Sequence, residues 1–112
     1  MAYAKWRDET FAGLSRMGFT YDAICRLLSA ATTLHRLAEV SCSVEVSDRE
    51  TARMERREAS AEARVRSIVA EVPGATVEMQ GDPRGCPFGV TVNGRTEWVP
   101  GRPYPSAVYA RW

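Results

Sequence analysis

Between residues 20 and 40 the chain reads TYDAICRLLSAATTLHRLAEV, with Ile24, Leu27, Leu28, Ala31, Leu34 and Ala38 at i, i+3, i+4, i+7 spacing. That spacing paints one continuous apolar stripe on a helix, and Leu37 widens it, which predicts the central helix of a core. Upstream, AKWRDETFAGLSRMG sets Trp6, Phe11, Leu14 and Met17 at roughly helical intervals with Gly18 as the stop, either a helix or an arm. SCSVEVS breaks the period with Ser and β-branched residues and reads as a loop or short extended link. From Ser47 to Val72 a narrower stripe returns, formed by Met54, Ala61, Val65, Ile68 and Val72. Ser47 with Glu50 three residues on predicts a capping box at its start, and Pro73-Gly74 predicts its end.

The period then changes from 3.6 to 2. TVEMQ alternates Val77 and Met79 with Glu78 and Gln80, and PFGVTV puts Phe88, Val90 and Val92 on one face. RTEWV follows a two-residue Asn93-Gly94 link, the signature of a type I′ hairpin, in which both central residues need positive φ. The pattern predicts an α+β domain: two or three helices, then a three-stranded antiparallel β-meander packed on the second and third. Residues 1–100 form that single small domain. Residues 101–112, rich in Pro and aromatics, form a C-terminal tail in which Tyr104, Tyr109 and Trp112 either cover the sheet or stay exposed for docking.

The chain's 112 residues hold one modest core. With 15 basic against 14 acidic residues, it lacks the excess of a free-standing nucleic-acid binder. The basic residues are Arg apart from Lys5, a bias that a GC-rich genome produces without selection. Three cysteines, no signal-peptide pattern and no apolar run of ~18–20 residues point to a reduced cytoplasmic setting without a membrane span.

Candidate chemistry is sparse. His35 is the only histidine, and Cys25, ten residues earlier on the same helix, is too far to pair with it. No close Cys or His pair suggests a metal site, so no catalytic residue, metal or cofactor is assigned. Cys25 reads as a half-buried small hydrophobe, Cys42 as the most exposed thiol, and Cys86 as a thiol with Arg84 nearby to lower its pKa. The Arg/Glu-rich third helix reads first as a solvated face, with Glu50–Arg53 and Glu62–Arg66 pairs. As a partner surface it offers Arg49, Arg53, Arg56 and Arg57, joined by Arg84 and Arg95 from the sheet, with Glu55 and Glu58 interrupting the stripe.

GDPRG, residues 81–85, is not a phosphate loop: no Lys, no Ser or Thr and no helix follow it. Asp82, Pro83 and Gly85 each fit a backbone role in a type I turn with a G1 bulge, leaving Arg84 outward at a hairpin tip.

LHRLAEVSC, a charged helix and VEMQGDPRGCPFGVTV together make the chain resemble a set of small tailed-phage and prophage proteins. These share an LHRxAExxC helix and a strand–QGDPRG–strand hairpin, and the likeness spans about residues 24–92. The resemblance marks His35, Glu39, Cys42, Asp82 and Arg84 and brings no catalytic residue with it. It implies a non-enzymatic phage accessory protein that binds and inhibits a host protein in the bacterial cytoplasm, an anti-CRISPR or other anti-defence protein being the specific form. The alternative is a small nucleic-acid-associated phage protein. Homo-oligomerisation is open under both.

Overall fold

A computed structural model describes residues 3–43, 47–79 and 86–101, with side chains omitted at 3 and 40–43. The elements are α1 (Tyr3–Arg16), α2 (Tyr21–Ser43), α3 (Asp48–Val69), β1 (Thr76–Glu78), β2 (Phe88–Val92) and β3 (Arg95–Val99). Three helices thus precede a three-stranded antiparallel sheet in the order β1-β2-β3, the α+β class that the change of period predicts. The GDPRG turn, with Asp82, Pro83, Arg84 and Gly85, lies outside the described residues, as does the tail beyond Gly101.

Local chemistry sets each helix end. Gly18, at φ 106°, closes α1. The Gly18 N–H donates to Ser15 and the Phe19 N–H to Leu14, the paired bonds of a Schellman motif. Phe19 and Leu14 are both buried, as the hydrophobic contact of that motif requires. Thr20 starts α2 by accepting the Ala23 N–H on its hydroxyl at 3.2 Å. Ser47 does the same for α3, taking the Glu50 N–H at 3.2 Å. Only this half of the predicted capping box forms among the described residues. Ser47→Ala is expected to lower stability by about 1 kcal/mol, the usual cost of an N-cap. A urea midpoint at unchanged slope measures it.

Three expectations change. The SCSVEVS link does not begin at Ser41, because α2 runs on to Ser43. Ser and Cys are tolerable helix residues, and no Gly or Pro stands there to stop the helix. Ala38, placed on the apolar stripe, is exposed, while Leu37, expected to widen that stripe, is buried. α1 is a full helix rather than an arm, and it packs against β3 and α2, so the sheet rests on all three helices.

The hairpin forms as Asn93-Gly94 dictates, with φ of 51° and 80° and Val92 opposite Arg95. Phe88 and Val90 are fully buried, Val90 pairing with Val77 and Phe88 with Val99. They meet Leu14, Ile24, Leu27, Val65 and Ile68 in one core. On the opposite sheet face Trp98 lies over Gly89, its cross-strand partner. Thr91 and Thr96 share a hydroxyl hydrogen bond of 2.8 Å on that same face.

Candidate binding face between α2 and α3

α2 and α3 lie antiparallel: Arg26 near the start of α2 meets Glu71 beyond the end of α3, and Thr33 meets the Ser60 region. Small side chains are buried at and near the join, Ala30 in the lining and Ala61 on α3. Such residues bring two helices close and leave longer side chains to line a groove along the join.

At about 100° per residue, Arg53, Arg56, Ser60, Arg64 and Ser67 all fall within about 60° of Arg49 around α3, and Arg57 about 80° away. Glu55, Glu58 and Glu62 lie about 120–180° away on the opposite side. Glu55 and Glu58 therefore do not interrupt the arginine stripe, as their place in the sequence suggests. Most of the helix's charges are sorted, Arg49, Arg53, Arg56 and Arg64 to one side and Glu55, Glu58 and Glu62 to the other, with Arg66 beside the acids, while Ala61, Val65, Ile68 and Val69 are the residues it buries.

The arginine side borders α2. One part of the groove, of about 370 Å³, is lined by Thr33, Arg56, Arg57, Ser60 and Arg64. A second part of about 160 Å³ continues past Arg64 to Ser67, Ile68, Ala30, Ser29 and Arg26. Arg26 is committed: its Nε lies 3.3 Å from Asp22 Oδ2, and its Nη2 donates to Glu71 Oε2 at 3.2 Å. Arg56, Arg57 and Arg64 have no ion pair among the described residues, and neither do Arg49 and Arg53. The predicted Glu50–Arg53 and Glu62–Arg66 pairs are likewise absent from the described ion pairs. Exposed i,i+3 and i,i+4 pairs contribute only about 0.2–0.5 kcal/mol, too little to hold two long side chains together.

Of the predicted partner residues, the structure brings Arg56 and Arg57 together with Arg64 and Arg26, which were not among them. Arg49 and Arg53 extend the same helix face toward its N-terminus. Arg95, exposed at the start of β3, lines neither part of the groove, and Arg84 lies outside the described residues. Arg64 was detectable from the sequence, since it stands four residues after Ser60 and eight after Arg56. Arg26 and Thr33 needed the antiparallel pairing of two helices.

His35 donates from Nε2 to Glu39 Oε1 at 2.9 Å, one turn on in α2. Both are about a quarter to a third exposed. Gly101, just past β3, rests against the Ala31 carbonyl and the His35 Cβ. His35 is thus a side chain half-buried between its own helix and the chain leaving the sheet. Cys25 is half-buried as expected. Cys86 is buried, which withdraws it from the accessible setting that a reactive thiol needs. The side chain of Cys42 lies outside the described residues.

Among the described residues no cluster of three His, Cys, Asp or Glu is placed to hold a metal ion. No described helix is long and apolar enough to cross a membrane. No family model, no curated protein and no solved structure matches the chain.

Proposed function

We propose that this chain is a non-enzymatic accessory protein of the phage or prophage kind, which acts in the bacterial cytoplasm by binding a host protein and blocking it. An anti-CRISPR or related anti-defence role is its specific form. The observation that supports this most is the α2–α3 groove, where Arg56, Arg57 and Arg64 stand exposed without acid partners among the described residues. Arg is enriched at the centres of protein interfaces because its planar fork binds carboxylates in two places at once. A near-neutral chain that segregates its charges presents an oriented field to a partner, favouring one docking pose over its reverse.

Tagged protein expressed in a host with an active CRISPR system is expected to co-purify with one defence component at fixed stoichiometry and to raise phage plating. No stable complex, with plating unchanged, would sink the proposal.

The sorting of charge on α3 also favours a second reading, binding to nucleic-acid phosphates through the row from Arg49 to Arg64. That row is about 22 Å long at 1.5 Å per residue. Under this reading, affinity for an oligonucleotide falls steeply with salt. Fluorescence anisotropy at low ionic strength with no binding would dispose of it.

A further inference from the structure

At one end of the α2–α3 groove a carboxylate already ties α2 to the chain just past α3. Glu71 Oε2 accepts from Arg26 Nη2 at 3.2 Å, and Asp22 lies against the same guanidinium. About two turns back along α3 the lining is again cationic, now from Arg64, Arg57 and Arg56, and no described acid faces it. Ser60 adds a hydroxyl donor between them. Thr33 serves as wall, because its hydroxyl donates back to the Ser29 carbonyl at 3.3 Å. This cationic stretch is about 12 Å long, the rise from Arg56 to Arg64.

Resting on the protein-binding reading above, we infer that this stretch takes a short acidic segment of the partner protein. Its Asp or Glu carboxylates pair with Arg56, Arg57 and Arg64, repeating between molecules what Glu71 does for Arg26 within the chain. Two observations favour carboxylates over a polynucleotide. A phosphate backbone running on past Arg64 reaches Arg26, whose guanidinium Asp22 and Glu71 already hold, whereas an acidic segment of three or four residues stops short of it. Among the described residues no aromatic side chain lines either part of the groove, so unpaired bases find no described surface on which to stack.

The test titrates the full ¹⁵N-labelled chain with a blocked hepta-glutamate peptide, and separately with a short DNA duplex and its single strand. Peptide is expected to shift the amides of Thr33, Arg56, Ser60 and Arg64 saturably, weakening as salt rises. In R56E/R64E the affinity is expected to fall at least about tenfold. Because both side chains are exposed, the circular dichroism and melting midpoint of that variant should match wild type. Absent or scattered shifts overturn the inference. So does saturation of the same amides by DNA at lower concentration than peptide, which assigns the groove to nucleic acid. A host complex that survives R56E/R64E at full affinity removes this inference and leaves the proposed function standing. Peptide binding without any host complex removes the function and leaves the groove's chemistry in place.

Discussion

Phe88→Ala is expected to cost about 3–5 kcal/mol, the largest loss from any single truncation in this chain. Phe88 is fully buried and is the bulkiest of the fully buried side chains. It sits on the central strand, opposite Val99, in the core shared with the helices. Removing the ring forfeits its transfer free energy and opens a cavity that β2, paired on both sides, is poorly placed to close. A domain of this size carries total stability of roughly 5–15 kcal/mol, so the variant is expected to be partly unfolded at 37 °C. The check is a urea titration, in which the midpoint falls while the slope holds. Phe88→Leu, which keeps most of the volume, is expected to cost under about 1.5 kcal/mol. Equal losses from the two substitutions would show that the ring does not fill the core as described.

The second large effect belongs to Gly101→Ala. A Cβ there would press into the Ala31 carbonyl and the His35 Cβ, one of them backbone in the middle of α2. Neither is the free end of a flexible side chain, so the segment after Pro100 must lift off the helix or α2 must shift. Overpacking of this kind costs about 1–3 kcal/mol. Proton exchange or chemical shifts at His35 and Ala31 would locate the damage there, and a loss centred on the hairpin instead would contradict the contact. Gly89→Ala meets the Trp98 ring at 2.7 Å, and that ring has an exposed side toward which it can tilt, so a smaller loss is expected.

Much of this architecture was legible before any coordinates. The change of period after Pro73-Gly74 separates helices from strands, and Asn93-Gly94 fixes the register of β2 and β3 through its two positive φ angles. Ser47 was legible as a cap because the hydroxyl needs only a backbone N–H three residues away. What stayed hidden depends on distant partners. That α1 is a structural member of the core follows from β3, which lies some eighty residues away and cannot be seen in α1's own pattern. The groove had the same obstacle. Its α3 half follows from counting 100° per residue, and its α2 half appears only once Arg26 is set beside Glu71. Counting Glu55 and Glu58 as interruptions mistook neighbours in sequence for neighbours on a helix.

The dependence of α1 on β3 has a kinetic side. Thr10, almost fully buried, donates its hydroxyl to the Trp98 carbonyl across 88 positions of chain, at a long 3.5 Å. The α2–α3 hairpin and the strand meander join elements adjacent in sequence, and such local contacts form early because little loop entropy opposes them. During synthesis α1 emerges first and gains α2 beside it, yet waits for the last strand before the rest of its apolar side is covered. The first helix made is therefore expected to be the last one secured, and the first whose amides exchange when the native state opens.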